Sequence, residues 1–93
     1  MKVVWVPEAV QDRMDIWDYL HVLNPRAAVD MDRRFSECVD HLVLNPQIGS
    51  TGLVAGTREL IPHPSYRLVY QISQDHIWIL ALVHTARQWP PPT

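Results

Sequence analysis

The sequence predicts an α+β domain: one strand, a pair of helices, then a run of strands joined as hairpins. Three observations predict it. A short β-branched run opens the chain, apolar residues then recur at helical spacing, and after a glycine-bearing loop the apolar period falls to two.

Lys2 to Val6 is the opening run, closed by Pro7, and reads as a buried or edge strand. Pro7 suits the first turn of a helix, and Glu8 complements the helix dipole. Ala9, Ile16, Leu20 and Leu23 then follow helical spacing, with Val10, Met14 and Trp17 as a second row and Asp12, Asp15 and Asp18 between. So wide an apolar arc predicts contact with more than one neighbour. Asn24-Pro25 restarts the helix, the asparagine as N-cap and the proline pre-setting φ. Ala28, Met31, Phe35, Val39 and Leu42 form one stripe over about five turns. Asn45-Pro46 ends it, because a residue before proline resists helical geometry. So short a link makes the two helices an antiparallel hairpin.

Residues 46–57 hold all three glycines, Gly49, Gly52 and Gly56, and form the one long loop. Strands follow at Arg58 to Ile61, Tyr66 to Ile72 and Ile77 to His84, with turns at Pro62–Ser65 and Ser73–His76. The tail Trp89-Pro90-Pro91-Pro92-Thr93 is expected to run outside the sheet in polyproline conformation. A two-residue turn centred on Gln74 and Asp75 pairs Tyr66 with Val83 and Ile72 with Ile77. That register places Tyr66, Leu68, Tyr70, Ile72, Ile77, Ile79, Ala81 and Val83 under the helices. The opposite face then carries Arg67, Val69, Gln71, Trp78, Leu80, Leu82 and His84, joined by Arg58. Two arginines and an imidazole among exposed apolar side chains make a candidate surface for phosphate, carboxylate or a protein partner.

Length and composition limit the function. Ninety-three residues make one domain, and 47% apolar with 19% charged residues describes a folded chain. No run suits a membrane helix, and the four-residue apolar run at the N-terminus is too short for a signal peptide. The lone Cys38 fits a reducing compartment, so a cytoplasmic protein is expected. The five histidines show no metal-ligand spacing, and neither metal nor cofactor is expected. Net charge is −2, unevenly spread. Residues 8–40 set eight acids against four arginines, whereas residues 41–93 set two acids against three arginines. An anionic partner would meet the C-terminal half.

The ordered segments Gly56-Thr57-Arg58-Glu59-Leu60, Tyr66-Arg67-Leu68-Val69-Tyr70, Ile77-Trp78-Ile79-Leu80 and His84-Thr85-Ala86-Arg87-Gln88-Trp89-Pro90 resemble the RelE/ParE superfamily of type II toxin–antitoxin toxins. The resemblance covers nearly the whole chain and is nearest to the ParE-like, plasmid-stabilisation branch. It implies a helix hairpin on a curved, largely antiparallel sheet and a cognate antitoxin whose C-terminal segment wraps the toxin. Activity within the superfamily divides: RelE-like members cut mRNA on the ribosome, and ParE-like members poison DNA gyrase. By strand position, Arg67 matches a family phosphate-binding arginine, Arg58 falls where a catalytic lysine occurs, and Arg87 lies near another family arginine. Leu60 stands where a second lysine is wanted, and Lys2, the only lysine, is in the wrong element.

Cleavage through a 2′-hydroxyl needs a proton acceptor, a proton donor and cations around the phosphorane. A histidine suits proton transfer, which makes His84 the candidate acid or base, but in a site poor in cations. A gyrase-directed, non-catalytic toxin is therefore the favoured reading, and a ribosome-dependent endoribonuclease using Arg58, Arg67, His84 and Arg87 is the alternative. Each residue also has a plain structural role available. Arg58 would pair across strands or hold the loop, Arg67 would be a solvated strand position, and His84 and Arg87 would close the sheet edge. Trp89 would pack as a lid, Trp5 in the core, and Cys38 as an inert thiol. Trp78 is a candidate antitoxin contact. Val10, Met14 and Trp17 offer an antitoxin helix or strand an apolar surface, as would an open sheet edge.

Overall fold

The computed structural model describes residues 1–92, which form β1 (Lys2–Trp5), α1 (Pro7–Leu23), α2 (Pro25–Leu44), β2 (Ser50–Thr51), β3 (Arg58–His63), β4 (Tyr66–Ser73) and β5 (His76–His84). The sheet order is β1-β5-β4-β3-β2. β1 runs parallel to β5, and every other pairing is antiparallel. This is the fold class read from the sequence, with one short strand added. β2 holds two residues of a polar loop against Glu59 and Arg58, too few to leave a periodic signal.

The helix limits follow their local chemistry. Both helices begin on proline, and the Asn24 side chain accepts the backbone N–H of Arg26 at 3.0 Å, which caps α2. Asn45 ends α2, as the proline after it requires. One face of the sheet lies under the hairpin. There Ala9 of α1 and Phe35 and Leu42 of α2 enclose Tyr66, Leu68, Tyr70, Ile77, Ile79 and Leu82. Phe35 meets Tyr66 edge to face, with ring centres 5.7 Å apart. Trp5 and Cys38 pack against this core and remain half-buried.

The β4–β5 hairpin is where the expected register fails. At the turn it holds: Gln74 and Asp75 both take positive φ (54° and 61°), and Ile72 faces Ile77. Beyond the Tyr70–Ile79 pair, Leu80 is an extra residue, and the pairs become Val69–Ala81, Leu68–Leu82, Arg67–Val83 and Tyr66–His84. A bulge turns the rest of its strand over. Leu82 and His84 therefore lie on the helix side, and Ala81 and Val83 on the far face. The bulge serves the core, since Leu82 is 4% exposed and completes the cluster beside the helices.

Arg58 also changes side. It stands opposite Tyr70, whose ring lies in the helix-side core, and a second register break between Leu60 and His63 separates it from the Pro62 turn. The exposed apolar surface expected on the far face is reduced, with Trp78 left half-buried there. Val69 is fully buried, and Leu82 has gone to the other side.

Candidate functional site

The residues singled out in the sequence fall into four places. Arg58 is occupied by the α2–β2 connection, its Nη1 donating to the carbonyls of Gly49 (2.8 Å) and Gln47 (3.3 Å). Beside it the Tyr70 hydroxyl donates to Pro46 O (2.7 Å) and accepts the Gly49 N–H (2.9 Å). Burial pushes the Tyr70 phenol pKa up, opposed by the Gly49 hydrogen bond and the Arg58 charge. Gly49 is required here, because a Cβ would lie 2.6 Å from that hydroxyl. Arg58 thus holds the loop, one of the two structural roles open to it.

On the far face Arg67 Nε lies 3.4 Å from Glu59 Oε1, with both side chains largely buried. That Nε is shielded from solvent and makes no hydrogen bond among the described residues, so charge alone holds the pair. Glu59 Oε2 in turn accepts the Leu53 N–H at 3.1 Å, which ties the 52–57 loop to the pair. Trp78 shares this face but stands opposite Gln71, four residues and roughly 13 Å along β4 from Arg67. Its indole donates to Ser73 O (3.2 Å), and its ring stacks on His76 with centres 5.4 Å apart.

His84 and Arg87 do come together, on the helix side. They line a cleft of about 490 Å³ with Asp12, Asp15, Tyr19 and Tyr66. The His84 ring meets Tyr66 edge to face at 5.4 Å, and its Nδ1 accepts the Ala86 N–H, so the neutral ring carries its proton on Nε2. Asp12 accepts the Leu82 N–H (3.1 Å) on the edge of β5 past the end of β1. Burial raises the Asp12 pKa and the Asp15 charge adds to it, while the Leu82 hydrogen bond and Arg87 oppose the rise. Tyr66 is raised too, chiefly by burial.

Val10, Met14 and Trp17 line the other flank of α1, a groove of about 510 Å³ completed by Trp5, Arg13, Asp18 and Asp32. Val10 and Met14 are 43% and 54% exposed. Arg13 is held by Asp32, Nε to Oδ1 at 2.6 Å, and its guanidinium lies over the Trp5 ring at 4.8 Å.

The arginines and imidazole expected on one surface are therefore dispersed. Arg67 lies on the far face; Arg58 and His84 lie on the helix side but at positions four residues apart along β4. Sequence reasoning missed Glu59 as the partner of Arg67, Asp12 as a strand-edge acceptor and the Arg13–Asp32 tie. For Glu59 a signal existed. Acid and base two strand positions apart across a hairpin share a face, but only once the β3 register is known. Burial raises the Cys38 thiol pKa, which disfavours the reactive thiolate.

The chain matches the family model described as the ParE toxin of the type II toxin–antitoxin system parDE over residues 3–89. It is 33% identical over 86 residues to Toxin RelE2 of Caulobacter vibrioides, covering 92% of this chain and 97% of that protein. Its fold is similar to a chain of the chromosomal ParDE system from P. aeruginosa, with TM-score 0.80 and 26% identity over 90% of this chain and 95% of that one. The YoeB dimer structure from Staphylococcus aureus shares the fold at TM-score 0.61 and 18% identity, covering 87% and 92% of the two chains.

Proposed function

This chain belongs to the ParE toxin family of type II toxin–antitoxin systems, and on that premise we propose that it is a non-catalytic inhibitor of DNA gyrase held inactive by its antitoxin. The Arg67–Glu59 pair carries the reading. A nuclease needs unshared cations around the scissile phosphate. Here the arginine in the family's phosphate-binding position already faces a carboxylate, and Arg58 is bound to backbone carbonyls. His84 stands on the opposite side of the sheet from Arg67, in a cleft with two aspartates that repel phosphate. A toxin acting by contact with a protein needs none of these groups free.

The antitoxin is the second part of the proposal. Val10, Met14 and Trp17 form the exposed apolar surface that an antitoxin segment covers, and Trp78, His84 and Arg87 remain candidates for target contact. No helix is long and apolar enough to cross a membrane among the described residues.

The test sets purified toxin against two reactions, gyrase supercoiling and mRNA on translating ribosomes. Inhibition of the first with intact mRNA supports the proposal. Ribosomal mRNA cleavage that His84→Ala or Arg67→Ala abolishes would replace it with the ribonuclease reading, toward which the name of the RelE2 relative points.

A further inference from the structure

We infer that the antitoxin segment lying in the groove beside α1 is basic: its apolar anchors alternate with lysine or arginine. The inference deepens the neutralised-toxin reading above and rests on it. Two properties of the groove carry it. The first is an apolar floor of Trp5, Val10, Met14 and Trp17, open enough that Met14 is 54% exposed. An apolar strip of this kind on a helix flank marks a partner site.

The second property is charge. α1 carries Glu8, Asp12, Asp15 and Asp18 against one arginine, Arg13; Asp12 and Asp15 line the cleft on the other flank, and the acids lining this groove are Asp18 and Asp32. That arginine is already used. Its Nε meets Asp32 Oδ1 at 2.6 Å, and its Nη2 donates to Asp32 O (3.2 Å) and Ser36 Oγ (2.9 Å). Asp18, on the groove rim, is exposed and has no ion pair among the described residues. The groove therefore presents acceptors and no spare cation. An acidic segment would meet Asp18 and the net negative field of α1, whereas a basic one gains a paired charge at Asp18 and faster encounter. Nucleic acid is disfavoured by the same field.

The test uses the full chain and two labelled amphipathic peptides, one of leucine and lysine, the other with glutamate in place of lysine, read by fluorescence anisotropy. The lysine peptide should bind at least about ten-fold tighter. Asp18→Lys should remove most of that preference, and Met14→Gln should weaken the lysine peptide about ten-fold, with both variants melting as the parent does. Equal or tighter binding of the glutamate peptide overturns the inference. So does lysine-peptide binding that neither substitution moves, which would be general adhesion. Self-association of the chain that Met14→Gln abolishes would assign the groove to a second copy instead. Gyrase inhibition is measured on the same preparation: its absence defeats the gyrase reading and leaves the peptide result standing.

Discussion

The two sides of the molecule treat charge differently. On the far face of the sheet the central cation, Arg67, lies against Glu59, and Glu59 is itself anchored to the Leu53 N–H. Along the open flank of α1 the one arginine is spent on Asp32, Asp18 has no ion pair among the described residues, and Val10 and Met14 stay exposed. One surface is satisfied within the chain; the other leaves apolar side chains and an acid open to solvent. The difference teaches where to look for partners. A residue type that suits catalysis means little until its pairing is known, and an unpaired acid beside an exposed methionine says more than an arginine already matched.

Substitutions can break or sharpen this contrast. The largest effect is expected in the core that both sides share. Phe35→Ala should cost about 3–5 kcal/mol in denaturant melts, while Val10→Ala on the open flank should stay within about 0.5 kcal/mol. Comparable losses would mean that Val10 is a core residue and the groove is closed. Arg58→Ala comes next. It removes two charge-assisted hydrogen bonds from the α2–β2 connection and should cost about 2 kcal/mol in the same melts. A loss of toxicity without a loss of stability would instead place Arg58 at the target.

Glu59→Gln should cost about 1–2 kcal/mol, because the amide still accepts the Leu53 N–H but the largely buried Arg67 loses its counter-charge. It frees Arg67, so binding of a short RNA oligonucleotide should strengthen, and unchanged binding would show that the pair masks nothing. The smallest effect has the opposite sign. Burial raises the Asp12 pKa above its unfolded value, so its contribution to stability is full below the unfolded pKa and is lost as pH rises through the folded one. Asp12→Asn keeps an acceptor for the Leu82 N–H without the charge. Thermal melts should show it equal to or slightly above the parent at neutral pH, with the difference gone in acid. A large drop at neutral pH would mean that the ionised carboxylate stabilises the strand edge.

Much of the architecture was legible in the residues. Pro7, Asn24-Pro25 and Asn45-Pro46 act through local sterics and capping, so they set the helix limits wherever the chain goes next. The Gln74-Asp75 turn is equally local, and it fixed the first pairs of the hairpin. What failed was long-range. Leu80 bulges because Leu82 is needed in a core built from both helices, and nothing in a period of two announces it. Arg58 was misplaced because the register near Pro62 depends on a break that follows no standard turn. Family membership was readable from ordered segments. The expected constellation was not, since sharing a face is a property of register, and register was lost twice.

The extra residue at position 80 works as a parity switch between interior and exterior. Draw Leu80 into the regular pairing, with no bulge, and His84 would lie on the face of Arg67 while Val83 took its place beneath the helices, with no side chain altered. The same letters paired without the bulge would thus go to opposite sides of the molecule. A change of pairing, rather than of chemistry, is then enough to assemble or scatter a cationic centre on this scaffold.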